Sequence, residues 1–220
     1  MRLLIISDLH GHLEKIRPLS NALENNSLDA IVVCGDITHF GTLVVASTIL
    51  RELADFATVL FVPGNCDPPQ LASQPIVEGA INLHARCLNL VGFSFIGIGG
   101  SIPTPFNTPF ELTEDEIERL LNDARKECEE STATILVSHD PPYGTQADKV
   151  LLGHHVGSKA LRGFMDKTSP TLVACGHIHE SRAVESSGST TVVNPGPIHR
   201  GYYAFAEIGE RVTVDLRTLE

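Results

Sequence analysis

The 220-residue sequence predicts a layered α/β sandwich, on three observations. Five short apolar runs, at residues 3–6, 30–33, 58–62, 134–137 and 171–174, have the unbroken hydrophobicity of strands buried on both faces. In the first half such runs alternate with helix-forming stretches, which implies right-handed βαβ crossovers. Beyond residue 180, strand-like segments follow one another directly across Gly- and Pro-rich turns, as in a meander.

The run at 3–6 leads to a helix over 12–25, and the run at 30–33 to a helix over 40–55. The run at 58–62 enters the segment PGNCDPP (63–69), whose prolines and glycine prevent a long helix from starting at once. Strands follow at 88–91 and 93–98, then a loop over 99–110 that carries three prolines. Thr113 and Glu116 have capping-box spacing, and Ile117, Leu120, Leu121, Ala124 and Cys128 form the apolar stripe of the helix they open. The strand at 134–137 stops at Asp140-Pro141-Pro142, which cannot continue in a sheet. A short helix is expected over 157–166 and meander strands near 181–185, 190–193, 202–208 and 211–216.

Nothing in the chain reads as a linker or an internal repeat, so residues 1–220 are expected to form a single domain. Hydrophobic residues make up 42% and charged residues 20%, which argues against disorder. The apolar run at the N-terminus is broken by Asp8, too early for a signal peptide, and no run approaches a membrane span. A soluble cytoplasmic protein that does not bind membranes is therefore expected. The net charge of −11 argues against a broad, sequence-independent grip on nucleic acid, which needs Lys and Arg to neutralise phosphates. Nine acidic against three basic residues over 111–130 account for much of that charge and read as a solvated helix face. Five cysteines, odd in number and without CxxC spacing, make a disulfide framework unexpected. Cys34 and Cys175 read as small buried hydrophobes ending strands.

The chemistry lies just past the apolar runs, at Asp8 and His10, Asp36, Asn65, His139, and His177 with His179. Residues beyond the carboxyl ends of such strands converge on one crevice. Asp8/His10 and His177/His179 have i, i+2 spacing, which in extended chain puts both donors on one side. Gly35, Gly64 and Gly176 precede Asp36, Asn65 and His177, where a missing Cβ permits a sharp exit from the strand. A mixed set of carboxylate, amide oxygen and imidazole suits manganese first, with iron, nickel, cobalt or zinc also acceptable. Two such ions held together, with Asp36 bridging, imply in-line hydrolysis of a phosphate ester.

With those residues the chain resembles the calcineurin-like metallophosphoesterases. The likeness rests on Asp8-Leu-His10, Gly35-Asp36, Gly64-Asn65-Cys66-Asp67, Ser138-His139 and Gly176-His177-Ile178-His179. The resemblance implies a four-layer α/β/β/α sandwich with a dinuclear site, in which Asp8, His10, Asp36 and His179 hold one metal. Asp36, Asn65, His139 and His177 would hold the other. Most members carry His where this chain has Cys66, and that His contacts phosphate or protonates the leaving group. Gly-Asn-Cys-Asp is similar to the small bacterial and archaeal phosphodiesterases of the family. The resemblance thus makes Asn65, Cys66 and Asp67 candidate catalytic residues, and a phosphodiesterase on a small or nucleotide-like ester the leading function. Phosphomonoesterase is the alternative within the enzymes, and a non-catalytic protein-interaction scaffold the alternative outside them.

His155, just before a helix expected at 157, is a further candidate, as a donor to phosphate at that helix N-terminus. His12 and His154 read as outside the site. His39, His84 and His199 read as surface or packing residues, although His199 follows the rigid turn Asn194-Pro195-Gly196-Pro197 and can approach the cleft. Nothing in the sequence speaks to oligomeric state.

Overall fold

The computed structural model describes residues 1–23, 27–128 and 133–219. The first four apolar runs form β1 (Arg2–Ile6), β2 (Ala30–Cys34), β3 (Val59–Val62) and, later in the chain, β8 (Ala133–Ser138). They do not share one sheet. β1, β2 and β3 pair in parallel at the centre of a seven-stranded sheet. β8 pairs in parallel with β7 (Phe93–Ile98) and β9 (Leu172–Ala174) inside a separate six-stranded sheet. Runs such as Leu3-Leu4-Ile5-Ile6 are buried on both faces, so their composition carries no sign of which sheet they join.

The remaining strands complete the two sheets. β4 (Ile76–Val77), β5 (Ala80–Asn82), β12 (Tyr202–Ile208) and β13 (Val212–Thr218) extend the first; β6 (Arg86–Leu90), β10 (Ala183–Ser187) and β11 (Thr190–Asn194) extend the second. The meander expected beyond residue 180 is thus divided, its first hairpin on one sheet and its second on the other. Alternate residues of each central strand point into different layers. Leu3, Ile5, Val32, Leu60 and Val62 meet Phe95, Ile135, Val137 and Leu172 between the sheets. Leu4, Ile6, Ile31, Val33 and Phe61 face α2 (Leu43–Ala54) through Ile49, Leu50 and Leu53. Ile96, Leu136 and Val173 face α4 (Glu114–Lys126) and α5 (Lys159–Thr168) through Ile117, Leu121, Leu161 and Phe164. These three cores separate four layers, α/β/β/α. Among the described residues the other two α-helices are short, α1 (Ile16–Leu23) and α3 (Gln70–Ser73).

Thr113 and Glu116 form the expected capping box at the start of α4. Helix α5 begins two residues later than expected, at Lys159 after the N-cap Ser158, and its N-terminus is already filled by an anion. Glu114 of α4 accepts from Ser158 Oγ at 2.6 Å, Lys159 N at 2.8 Å and Ala160 N at 2.9 Å. Among the described residues, no helix is long and apolar enough to cross a membrane.

One expectation fails here: Cys87 and Cys128 are joined in a disulfide. They are 41 residues apart, and the pair ties strand β6 to the end of α4, a juxtaposition that neither local spacing nor hydrophobicity encodes. Cys34, Cys66 and Cys175 are free and buried. Denatured protein should accordingly show three reactive thiols before reduction and five after it, counted with a thiol reagent. Cys128→Ser should lower unfolding stability by about 2–4 kcal/mol, since it opens a long loop in the unfolded chain. A stability equal to that of the parent, or five thiols without reduction, would remove the bond from the native structure.

Candidate metal centre

The seven donors are delivered from the carboxyl ends of both sheets. β1 ends at Asp8 and His10, β2 at Asp36 and β3 at Asn65; β8 ends at His139 and β9 at His177 and His179. Backbone at these exits is not extended. Asp8, His10, Asp36 and His177 have φ of 57°, 51°, 49° and 66°, left-handed values that non-glycine residues rarely adopt and that concentrate at functional sites. The i, i+2 pairs therefore face the site through tight left-handed turns, and the strand-like geometry inferred from spacing is corrected. Backbone hydrogen bonds from the Asp8 N–H to Gly35 O and from the His10 N–H to Asp36 O lock the first two exits together.

Gly64 and Gly176 are small because the site needs the space. An ideal Cβ on Gly64 would lie 2.0 Å from Asp36 Oδ1, and one on Gly176 would lie 2.9 Å from Asp8 Oδ2 and strike Ser7. Backbone and carboxylate from neighbouring strand ends pack edge to edge.

The arrangement has more facing lone pairs than protons to share among them. His139 is fully buried and its Nδ1 lies 2.7 Å from Cys34 O, an atom that only accepts, so this nitrogen carries the proton. Its Nε2 then turns a lone pair toward Asn65 Oδ1 at 2.8 Å and Asp36 Oδ1 at 3.4 Å. Those contacts are favourable only with a cation among them, either a second proton on the ring or a metal. Across the site, His10 Nε2 and His179 Nε2 stand 3.3 Å apart, and both face Asp8 Oδ1, at 3.9 Å and 3.2 Å. Asp8 Oδ1 is buried without a well-aligned hydrogen-bond donor, as is His10 Nδ1. Asp36 lies between the two groups, with Oδ2 at 3.7 Å from His10 and Oδ1 toward His139. The donor atoms of Asp8, His10 and His179, and those of Asp8, Asp36 and His139, each fall within 4.8 Å of one another. The residues fit divalent cations.

Protonation equilibria of these residues express the same crowding. Burial, followed by repulsion from Asp8 and Asp67, lifts Asp36 to about 7 despite the attraction of His139. Burial drives His177 to about 3 and His10 to about 4, with neighbouring imidazoles adding to the effect. Burial would also lower His139, but the charges of Asp36 and Asp8 overcome it and raise the group. Asp8, which burial would raise, is held well below the carboxylate range by the close approach of His179 and by the charges of the surrounding imidazoles, His139 among them.

The other candidates fall into different places. Cys66 lines the same cavity, which has a volume of about 570 Å³, and is 8% exposed. Burial and the adjacent Asp36 raise its thiol, so it is neutral at pH 7. Asp67, by contrast, is turned away from the cavity. Its carboxylate accepts from Ile37 N, Thr38 N, Thr38 Oγ1 and Gly64 N at 2.7–3.1 Å, splinting the loop after β2 to the loop after β3. The catalytic assignment of Asp67 is corrected to a positioning one, because its oxygens are committed to the loops. His155 does not line the cavity; its Nδ1 lies 2.6 Å from the buried Asp148 Oδ1, and Glu114 already takes the helix N-terminus where phosphate was expected. That site assignment is corrected too.

Three histidines read as outside the site do line the cavity: His12, His39 and His199. His199 Nδ1 lies 2.9 Å from Asp8 O and its ring stacks on His12, whereas His39 packs edge-on against His10. His39, His10 and Cys66 also bring donor atoms within 4.8 Å of one another. The Asn194–Pro197 turn was the one usable signal for His199, since it returns the chain to the end of β1, where Ile198 N bonds Ser7 O at 2.8 Å. His84 is buried, and its Nδ1 accepts from Gly99 N at 2.9 Å, a packing role as expected.

Fold and donor set together define a four-layer sandwich with a histidine–carboxylate site at its strand ends, the design of a phosphoesterase. The chain belongs to the calcineurin-like phosphoesterase superfamily, whose domain model matches residues 1–217. It is 40% identical over 219 residues to the uncharacterized protein MJ1162 of Methanocaldococcus jannaschii, covering 98% of this chain and 96% of that one. The crystal structure of TT1561 from Thermus thermophilus superposes with a TM-score of 0.80 at 20% identity, over 100% and 99% of the two chains. A structure described as that of a novel archaeal phosphodiesterase superposes at 0.57 and 17% identity, over 99% and 100%. At these identities the structural likenesses show the fold alone.

Proposed function

We propose that the protein is a phosphodiesterase that uses two divalent cations, manganese foremost, to hydrolyse a small phosphate ester. The observation that carries this reading is the set of opposed lone pairs at His139, Asn65 and Asp36 on one side and at Asp8, His10 and His179 on the other. Asp36, Asn65, His139 and His177 would hold one ion, and Asp8, His10, Asp36 and His179 the other. Such ions polarise a phosphoryl oxygen and bring the pKa of water toward neutrality. His12, His39 and His199 ring the cavity; the Nδ1–H of His199 is spent on Asp8 O and that of His12 on Glu14, which leaves His39 to offer a ring N–H to a remaining phosphate oxygen. Diester is favoured over monoester because no Lys or Arg lines this cavity among the described residues, so the second negative charge of a monoester would lack a partner.

The test is metal analysis and kinetics on the metal-reconstituted protein. About two ions per chain and faster hydrolysis of bis(p-nitrophenyl) phosphate than of p-nitrophenyl phosphate are expected. At most one ion, or full activity after exhaustive chelation, would sink the two-metal reading; a preference for the monoester would move the assignment to phosphomonoesterase.

Cys66 sets a second expectation. A neutral thiol protonates a departing alkoxide poorly, so the parent should favour esters with stable aryl leaving groups. Cys66→His should raise turnover on alkyl leaving groups by up to about 10²-fold. Rates for both proteins across leaving groups of graded basicity decide it: parallel dependences would show that Cys66 does not stand in place of an acid.

A further inference from the structure

A second hollow of about 840 Å³ adjoins the metal centre and shares Phe106, His177 and His179 with its cavity. Its walls are Ile102, Pro103, Phe106, Leu151, Val156 and Ile178, drawn from the loop after β7, the loop before α5 and the turn after β9. Leu151 is 90% exposed and Phe106 81%, a large apolar surface left in water beside a site built for a charged group.

The geometry points to this groove as the seat of an alkyl or acyl chain on the phosphate ester, an inference that rests on the phosphoesterase reading. Two features select an aliphatic chain over a nucleobase. A base needs hydrogen-bonding partners for its edge, and the Thr104 hydroxyl here is already committed to Glu111 at 2.7 Å. Of the other polar wall residues, His177 and His179 belong to the metal centre, and Glu180 and Arg200 are exposed to solvent. An aliphatic chain needs no such partners and gains from the exposed leucine and phenylalanine. The two hollows also divide the substrate. Cys66 lines the metal-centre cavity but not the groove, so a leaving group departing past Cys66 leaves the chain-bearing group on phosphorus in the groove.

The experiment compares methyl and octyl p-nitrophenyl phosphate, which share a leaving group and differ only in the retained chain. Binding of methylphosphonate and octylphosphonate to the manganese-loaded protein is measured in parallel by calorimetry. The octyl ester should be preferred in kcat/KM by about 10²-fold, what roughly half of the added methylenes leaving water would supply. Octylphosphonate should bind more tightly by a similar factor, and Leu151→Ser and Val156→Ser should each cut both octyl-to-methyl ratios several-fold. Ratios near one in the parent, or ratios that survive both substitutions, would overturn the groove. So would a thymidine p-nitrophenyl ester that outruns the octyl ester, by installing a base instead. Chain-dependent phosphonate binding without hydrolysis of either ester would support the groove and sink the phosphoesterase reading; hydrolysis indifferent to chain length would do the reverse.

Discussion

Asp36→Asn is expected to abolish turnover, lowering it by at least about 10³-fold, and to cut bound metal from about two ions per chain to one or fewer. The carboxylate lies between His139 at 3.4 Å and His10 at 3.7 Å, so it faces both donor groups. Asn keeps the acceptor that takes the Cys66 N–H at 2.8 Å, so the loop should hold its shape while the bridging charge is lost. The same change should stabilise the metal-free protein at neutral and alkaline pH. Burial lifts Asp36 from 3.8 to about 7, so the folded parent binds a proton that the unfolded chain releases. A raised folded pKa contributes stability that is fully present below about 4 and lost as pH rises through about 7. Asn imitates the protonated form at every pH. The metal-free variant should therefore exceed the parent by on the order of 1–4 kcal/mol at pH 8, with the difference vanishing near pH 4. Urea melts of both metal-free proteins across this range, beside metal analysis, check the expectation. Equal stability at pH 8 would mean that the buried carboxylate is not a cost, and retention of two ions would remove Asp36 from the bridging position.

How far the sequence could be read depended on what each residue's role left in its local pattern. Strands β1, β2, β3, β8 and β9 were legible because burial on both faces demands an unbroken apolar run. The seven candidate donors stood out for the same reason, since each follows such a run. The two sheets came from the resemblance, but the same uniformity hid which of them each strand joins, because alternation is the only local mark of a face and these strands have none. Asp67 misled because its motif neighbours point into the cavity, and only the four donors around its carboxylate show that it serves the loops. His155 misled because a helix N-terminus invites an anion; that anion is Glu114, 44 residues upstream of its Ser158 partner. His12 and His39 left no signal at all, since loops bring them to the cavity without periodicity. Strand β5 and the disulfide were missed on similar grounds, one being three residues long and the other a contact across 41.

Gly64→Ala tests whether close packing of the strand ends, rather than donor chemistry alone, builds the centre. The added methyl would meet Asp36 Oδ1 at 2.0 Å, Asp36 N at 2.1 Å and Asp36 Cγ at 2.7 Å, contacts that no rotamer of the new residue can relieve because Cβ has none. Either Asp36 moves or the loop after β3 does. The loop is splinted by the Gly64 N–H bond to Asp67 at 2.8 Å, which shares the Asp67 carboxylate with Thr38 and Ile37 on the Asp36 side. Moving the loop strains both segments at once, so displacement of Asp36 is the expected relief. Stability should fall by about 1–3 kcal/mol, the usual cost of overpacking. Metal content should drop, and turnover should fall by about 10²-fold or more, since an ångström of misplacement at a reacting centre costs that much. Gly163→Ala supplies the contrast: this glycine is inside α5 with nothing within 4 Å of an added Cβ. There the methyl should stabilise the helix by roughly 0.5–1 kcal/mol and leave turnover and metal content untouched. Measured together, the two variants separate the general effect of replacing a glycine from the specific one of crowding Asp36. A Gly64→Ala protein that keeps its metals and its rate would show that the centre tolerates a displaced Asp36, and the bridging assignment would fall with it.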